Sequence, residues 1–528
     1  MEEIKNKKYV KMRNWMLDKL AEIYIFSIII IFPLCVDSTG FFKILECKYR
    51  TFLFIGVTYI ALNLIMIIYF YIFYKVKTFE NIRLSKIQFA VLGFWGVNIL
   101  ATIFSPYNGK YNLLVGIGRG EGLINISLYC LTFLFVTMFG KFRKRYILYF
   151  SISSICLNTI AILQYVGFNP FNMYQDGIGT HNVSFMTTLG NIDIISAVYC
   201  ILLTISFSAF VFLEEKILNK VIHLISIFIG FFIFIIINVM SGRVAFLTIF
   251  ALLMPFIITN SKRLYRTIIA IAMIILGLAV NIIMNPEYHY SIEKLTLDWQ
   301  FNKDALCLLI IVGIFMLLAY ILYKNEYAIE KKIIIKRMYI AMIIGILLMT
   351  LGLYFINFNS GTLYEVHELL HGNFDDQFGT YRIFLWKRAF KLLNKNWLIG
   401  SGPDTFAVRF MDQYTDDVKN IGELSINDTA GNVYITMLIN IGVVGLLSYL
   451  IFMFIQLKEG IKRKNSCSII LLIAIVCFWI QDFFNLWVVI VTPIFWALMA
   501  LHQLAISQEN NNEVIEERGI TNERKKEK

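Results

Sequence analysis

The chain has 528 residues, of which 58% are hydrophobic and only 16% are charged. Soluble proteins carry about 25% charged residues, so this composition excludes a soluble multidomain protein and indicates a membrane protein. The formal net charge is +12. Because the basic residues are scattered between long apolar runs, they indicate cytoplasmic loops of a membrane protein and not a nucleic-acid-binding surface. No CxxC pair occurs, so the cysteines indicate neither a disulfide framework nor a zinc site.

Fourteen apolar stretches approach the length of about 20 residues that crosses a bilayer. They are 20–36, 51–74, 87–104, 122–139, 146–167, 191–213, 221–240, 244–259, 267–284, 305–323, 338–357, 432–456, 468–487 and 488–506. The last two are poorly separated, so the sequence predicts an all-α integral membrane protein with 12 to 14 transmembrane helices. A long charged segment precedes the first stretch and no cleavage site follows it, so we expect a retained span and no signal peptide.

The loops alternate in charge. If the N-terminus is cytoplasmic, the inside segments hold 33 of the 48 lysines and arginines, which favours an even number of spans with both termini inside. The predicted organisation is a cytoplasmic segment 1–19, spans 1 to 11 within 20–357, a long extracytoplasmic loop 358–431, spans 12 to 14 within 432–506, and a tail 507–528. The tail has few apolar residues, so we expect it to be disordered.

The long loop contains a basic passage, 378-FGTYRIFLWKRAFKLLNKNWLIGSGPDTF-406. Thr380 can cap a helix that extends to about Asn394 and has Arg382 and Trp386 on one face. The basic residues of another face are Lys387, Arg388, Lys391 and Lys395, which we expect to point towards lipid phosphate. Such a helix is typical of a segment lying in the membrane interface.

Three arginines fall on the predicted outer face. Arg382 lies near a helix N-terminus, where the dipole favours an anion, and arginine can hold a phosphate with two hydrogen bonds. Arg243 lies between two adjoining spans, where it either faces a cavity or extends to the headgroups. Arg119 is followed by Glu121, which can pair with it. The turn from Gly400 to Pro403 allows close approach to a ligand or to another helix.

These residues are part of a wider resemblance. The passage 365-EVHELLHGNFDDQFGTYRIFLWKRAFKLLNKNWLIGSGPDTF-406 resembles the Gram-positive branch of the O-antigen ligase and polymerase family. The shared pattern is an arginine, a tryptophan four residues later, and a G-x-G-P turn. Further similar stretches follow in a consistent order over most of residues 100–500: GIGRGEGL, TTLGNIDIISA, MSGRVAF, NVYITMLINIGVVGLLSYL and QDFFNLWVVIVTPIFWALM.

The resemblance implies a GT-C-like membrane glycosyltransferase of the cell membrane. Its members take a glycan from undecaprenyl pyrophosphate on the outer face and transfer it, with inversion, to a glycan, lipid or protein acceptor. They use no metal or other cofactor. Arg243 and Arg382 match the two functional arginines expected to neutralise the pyrophosphate. The predicted substrate-binding residues are Arg119, Trp386, Gly400, Gly402 and Asn432.

The chain departs from the family pattern at one position. The family usually has A-H-N-x-Y before the span that follows the long loop, and its histidine is proposed to assist the acceptor hydroxyl. This chain reads 428-DTAGNVYI-435, with Gly431 in place of the histidine. Glycine cannot accept a proton, so a base must come from elsewhere, the substrate's own charge must assist, or no base acts. The candidate acid or base residues are His367, His371 and Asp428, with Asp375 and Asp376 as further alternatives. A second departure is GNID at 190–193, where GNPN is common.

Two other functions stay open. A catalytically altered member of the family would bind the carrier-linked glycan or act as a scaffold for the synthesis complex. A carrier-lipid flippase would have a similar number of spans. Transporters of that kind are typically built from paired repeats, and the single long loop after the eleventh predicted span has no counterpart in the first half of the chain.

Overall fold

The computed structural model describes residues 2–78, 84–107, 109–116, 118–174, 184, 186–284, 286–289, 294–297, 303–329, 332–394, 396–421, 428–463 and 465–526. The chain is a multi-pass membrane protein, and over these residues it is all-α apart from a short antiparallel hairpin of β1, Pro286–His289, and β2, Lys294–Leu297. The helices are α1 Glu2–Phe26, α2 Phe32–Leu34, α3 Ile44–Tyr74, α4 Lys86–Ile103, α5 Lys110–Val115, α6 Leu123–Phe139, α7 Arg145–Tyr165, α8 Ile192–Phe212, α9 Ile217–Ile237, α10 Met240–Ile258, α11 Ser261–Met284, α12 Lys303–Lys324, α13 Lys332–Phe355, α14 Gly361–Leu370, α15 Phe378–Lys391, α16 Phe406–Ile421, α17 Val433–Ile461, α18 Ser466–Gln481 and α19 Thr492–Lys526.

Within the described ranges, eleven helices are long and apolar enough to cross a membrane: α3, α4, α7 to α13, α17 and α18. The three remaining predicted spans also contain helices. In the first, α1 continues through a π-helical turn, Ser27–Ile31, into α2. The second contains α6, which has 17 residues, and the third contains the first part of α19. The number of fourteen spans therefore stays a prediction.

Helix α19 continues through the tail as far as Lys526. The expected disorder of 507–528 stays a prediction. The few apolar residues of this segment indicate that it has no core of its own. They do not exclude a helix, because glutamate, lysine and arginine are good helix formers.

Helix α8 lies at the centre of the bundle. Every residue from Ile194 to Val211 is buried, which suits a helix that is hydrophobic on all sides. Its N-terminus is capped by Asn191, whose side chain accepts hydrogen bonds from the backbone N–H groups of Asp193 and Ile194. Helices α7, α9 and α18 pack around it.

One end of this bundle collects the first turns of α8 and α10 and the end of α18. Asn485, just after α18, donates to the Asp193 carbonyl at 3.1 Å, and Gln481 lies 3.5 Å from the Ser241 hydroxyl. We call this the arginine end, because Arg119, Arg243 and Arg382 lie there. Helices of 16 to 21 residues, such as α18 and α8, are about 24 to 32 Å long, so their other ends lie near the opposite side of a bilayer.

Helix α17 is broken at Gly442, which has a φ of 69°. The loop before α16 enters the break: Ser401 and Gly402 donate to the Asn440 carbonyl at 3.0 and 2.7 Å, and Val443 donates to the Trp397 carbonyl at 2.9 Å. Backbone groups that leave a membrane helix must find other partners. Here the 397–402 loop supplies them.

Two glycines make this approach possible. A Cβ on Gly400 would lie 2.4 Å from the Asn440 oxygen, and a Cβ on Gly442 would lie 2.4 Å from the backbone of Leu398. We therefore expect Gly442→Ala to destabilise the protein by at least about 1–3 kcal/mol, because a left-handed backbone is strained for alanine and the clash adds to it. The measurement is thermal unfolding in detergent.

The matched control for this prediction is Gly352→Ala in α13. An added Cβ there meets no atom within 4 Å, so the unfolding temperature should stay constant or rise slightly. Equal unfolding temperatures for Gly442→Ala and Gly352→Ala would contradict the interpretation of the break.

Candidate functional site

Arg382 is the first residue of the regular part of α15. The three residues before it, Gly379, Thr380 and Tyr381, have left-handed φ values of 64°, 55° and 63°. This backbone folds back, so that the Arg382 Nη1 donates to the Gly379 carbonyl at 2.9 Å and to the Thr380 hydroxyl at 3.0 Å. Arg382 Nη2 donates to the Phe484 carbonyl at 3.0 Å. The guanidinium is thus held at the arginine end.

The predicted helix cap is wrong in its detail. Thr380 does not bind a backbone N–H at the start of α15, because its own backbone is not helical and its hydroxyl accepts from Arg382. The other end of the helix is close to the predicted end at about Asn394, since a 3-10 turn follows α15 as far as Asn394.

The Arg382 guanidinium is partly desolvated. Burial lowers its pKa, and the nearby Asp193 carboxylate opposes this effect. An arginine with such a shift is still protonated at neutral pH. Among the described residues, the buried Arg382 Nε has no hydrogen-bond partner. The side chain therefore combines a fixed positive charge with a donor that the protein leaves unused.

The loop that carries Arg119 is held by Asp404. One oxygen of the Asp404 carboxylate accepts from the backbone N–H groups of Gly118 and Arg119 at 3.2 Å and of Glu121 at 3.4 Å. Asp404 comes directly after the G-S-G-P turn, so the turn that enters the break in α17 also fixes this loop.

Arg119 pairs with Asp428, and not with Glu121 as the alternative would have it. Glu121 is buried and accepts hydrogen bonds from the hydroxyls of Tyr129 at 3.1 Å and Thr492 at 2.8 Å. Burial raises the pKa of the Glu121 carboxyl well above its usual range. A carboxyl of this kind is neutral or expensive to ionise, which leaves Asp428 as the ion-pair partner.

Asp193 lies within electrostatic range of both arginines. Its carboxyl group interacts with Arg382 and more weakly with Arg119, but among the described residues it forms no ion pair with either. Two cationic and two anionic side chains, Arg119, Arg382, Asp193 and Asp428, thus meet at the arginine end. The sequence reasoning missed Asp193, although the departure from GNPN to GNID was the available signal.

Gly431 faces Arg382. It has a φ of +59°, and a Cβ at this position would lie 3.5 Å from the Arg382 Nε. The position where the resemblance expects a histidine is therefore beside the arginine. Ala430, which precedes Gly431, is bound to α15, because Trp386 Nε1 donates a hydrogen bond to the Ala430 carbonyl at 2.9 Å.

Several predicted substrate-binding residues have structural partners instead. Trp386 positions Ala430 and packs edge-to-face on Phe483 at 6.0 Å. Asn432 caps α17 by accepting from the Ile435 N–H at 3.0 Å. Gly400 and Gly402 are in contact with the protein itself, at Asn440 and Leu113. These contacts within the protein account for the residue type at each position without a ligand. The substrate-binding role of these residues therefore stays a prediction.

Arg243 lies in the first turn of α10 and is half-buried. Its neighbour Gly242 packs closely against Ser196 of α8 and Phe234 of α9, so Arg243 belongs to the arginine end. In the described part of the chain, its guanidinium has no hydrogen bond or ion pair. The two predicted orientations of Arg243, towards a cavity or towards the lipid headgroups, both stay predictions.

The two candidate histidines lie elsewhere. His367 shares a 2.8 Å hydrogen bond with the Leu353 carbonyl, and His371 stacks on Tyr354 with ring centroids 4.3 Å apart. Both therefore pack at the junction of α13 and α14. The structure brings Asp428, but neither histidine, into contact with an arginine of the site.

The basic face of α15 also differs from its prediction. Lys387 and Arg388 do not point freely towards lipid, because both pair with Asp376, at 2.8 and 3.0 Å, and Arg388 also pairs with Asp417 at 2.7 Å. Lys395 lies outside the described residues. The ion pairs border an open polar groove of about 680 Å³ that also includes Tyr381, next to Arg382.

Comparison with known proteins assigns no family to the chain, since no family model matches it and no curated protein is significantly similar to it. Within the described ranges, no group of three or more His, Cys, Asp or Glu side chains is arranged to hold a metal ion.

We expect Asp404→Ala to lower the free energy of unfolding by about 1–3 kcal/mol, because three backbone N–H groups lose one shared acceptor. Asp404→Asn should lose less, since asparagine keeps an acceptor oxygen and tolerates the left-handed φ of 55° at this position. Thermal unfolding in detergent checks both variants. The control is Asp416→Ala, whose side chain is 95% exposed, and an equal loss in that variant would contradict the role of Asp404.

Proposed function

We propose that the chain is a GT-C-like membrane glycosyltransferase of the O-antigen ligase and polymerase type. It takes a glycan linked to undecaprenyl pyrophosphate and transfers it to an acceptor on the outer face of the cell membrane. The proposal includes fourteen spans and cytoplasmic termini, so that the arginine end faces outwards. The observation that supports it is that Arg382 and Arg119, from distant parts of the chain, lie at the same end of the helix bundle, where Arg382 borders Gly431 and Arg119 pairs with Asp428.

The proposed chemistry needs charge stabilisation. The acceptor oxygen attacks the anomeric carbon, the bond from that carbon to the phosphate oxygen breaks, and the acceptor loses its proton. Negative charge then develops on the leaving pyrophosphate. Fixed cations directed at developing charge are often the largest catalytic contribution. Arg382, with its unused Nε donor, and Arg243, with no ion pair among the described residues, are suited to this role.

The carboxylates serve a second purpose in this proposal. Asp428 pairs with Arg119 before a ligand binds, and Asp193 lies within electrostatic range of both arginines. A pyrophosphate would compete for Arg119, which would release Asp428 from its ion pair. Asp428 is then the best-placed group to accept the proton of the acceptor hydroxyl, since the candidate histidines pack at the α13–α14 junction.

A catalytically altered protein that only binds carrier-linked glycan is the second candidate. The observation in its favour is Gly431, which stands beside the Arg382 Nε and provides no base. In that case the arginines would still hold the pyrophosphate, but glycan transfer would not depend on them.

We expect Arg382→Lys to be nearly as damaging as Arg382→Ala, because an ammonium group cannot reproduce the planar hydrogen-bonding fork of arginine. Each variant should reduce transfer by about 100-fold or more. The measurement is the surface-glycan length and the pool of carrier-linked glycan in a deletion strain that expresses each variant.

The control on the same helix is Lys391→Ala, an exposed position that should leave transfer unchanged. Full activity in the lysine variant would rule out a two-hydrogen-bond phosphate clamp. Full complementation by Arg382→Ala would favour the binding or scaffolding function.

The base can be tested by rescue. We expect Asp428→Asn to lower the transfer rate and Gly431→His to restore part of it in the double variant, because a histidine there would lie beside Arg382. Gly431→Asn in the same background is the control, since asparagine also tolerates the left-handed backbone but is not a base. Equal rates for the histidine and asparagine double variants would show that Asp428 acts only through its ion pair with Arg119.

A further inference from the structure

A second cavity lies at the end of the bundle opposite the arginines. It has a volume of about 520 Å³ and is bounded by the last turns of α10 and α17, the first turns of α18, and Tyr339 of α13. Phe212, the last residue of α8, also lines it. Because α8 and α18 are about 24 to 32 Å long, this cavity is separated from Arg382 by the thickness of the bundle.

The wall of this cavity is apolar. Its lining includes Leu252, Leu253, Phe256, Ile469, Leu472 and Val476. Helix α13 contacts α10 near it, where the Tyr339 hydroxyl donates to the Leu252 carbonyl at 2.7 Å. The described residues of α13 include none that is buried in the protein, so in a bilayer much of this span would be exposed to lipid beside the cavity.

Two arginines line the same cavity. Arg263 donates to the Phe256 carbonyl at 3.3 Å and lies over the Phe212 ring at 5.6 Å. Arg463, just after α17, pairs with Glu459 at 3.5 Å. These contacts hold both guanidiniums beside apolar walls, and an arginine has five N–H donors, so one that binds a protein group can also bind a phosphate oxygen.

The surrounding charge is positive. Between Lys458, near the end of α17, and the start of α18, the sequence has four cationic residues, Lys458, Lys462, Arg463 and Lys464, and one anionic residue, Glu459. Basic pockets between transmembrane helices bind anionic lipid headgroups. An apolar space of this volume with cations at its edge is complementary to an amphiphile that has an anionic head.

We propose that this cavity binds an anionic phospholipid of the adjacent leaflet. The phosphate lies between Arg263 and Arg463, and an acyl chain follows the apolar wall between α10 and α18. The proposal does not depend on glycan transfer, because the cavity and the arginine end share no residue.

The test compares lipid retention in the purified full-length protein. The protein is exchanged into detergent with equal amounts of phosphatidylglycerol and phosphatidylcholine, and bound lipid is counted by native mass spectrometry. We expect the wild type to retain one phosphatidylglycerol in preference to phosphatidylcholine. Arg263→Gln combined with Arg463→Gln should weaken this retention by about tenfold or more, the loss expected for two charged hydrogen bonds.

Two further variants keep the test decisive. Lys458→Gln combined with Lys462→Gln removes the same charge from residues that do not line the cavity, and it should retain the lipid. Leu252→Trp fills the cavity from a position that is already 37% exposed, so it should fold and lose the lipid.

The proposal is overturned if the arginine variant retains phosphatidylglycerol as the wild type does, or if both lipids are retained equally. An equal loss in the lysine variant would show non-specific attraction to the basic surface. Displacement of phosphatidylglycerol by a smaller amount of a polyprenyl phosphate would also overturn it, because a different lipid would then be the occupant.

Discussion

The break in α17 at Gly442 is the constraint on which the rest of the arginine end depends. A helix interrupted inside a membrane has backbone groups without partners, and here the 397–402 loop provides them. The same loop continues into Asp404, which binds three backbone N–H groups around Arg119. One backbone insertion therefore connects the long loop after α13 with the loop before α6.

The arginine end is a balanced cluster and not a simple basic patch. Arg119 and Arg382 are each influenced by carboxylates, and the basic residues of α15 that face the polar groove are paired with Asp376 and Asp417. Positive charge close to lipid is expensive without such partners. An anionic ligand would have to compete with these carboxylates, which would make binding selective for a ligand with more charge than one carboxylate.

The two ends of the bundle present different surroundings to an anion. At the arginine end, the groups that hold Arg382 are backbone carbonyls and a hydroxyl, and the nearby groove is polar. At the opposite end, Arg263 and Arg463 lie beside an apolar cavity next to α13. The first arrangement suits an anionic group in polar surroundings, whereas the second suits an anionic head that carries an apolar chain.

Hydropathy and charge were enough to predict the membrane class and the positions of most helices, because these depend on residue type along the chain. Partners depend on where separate segments meet. The pairing of Arg119 with Asp428, the approach of Asp193 to Arg382 and the placement of Gly431 beside the Arg382 Nε join residues far apart in the sequence. The basic face of α15 was misread for the same reason, since Asp376 and Asp417 come from outside that helix. Local pattern thus determined which elements form, and only tertiary packing decided which charges meet, because an ion pair requires proximity in space.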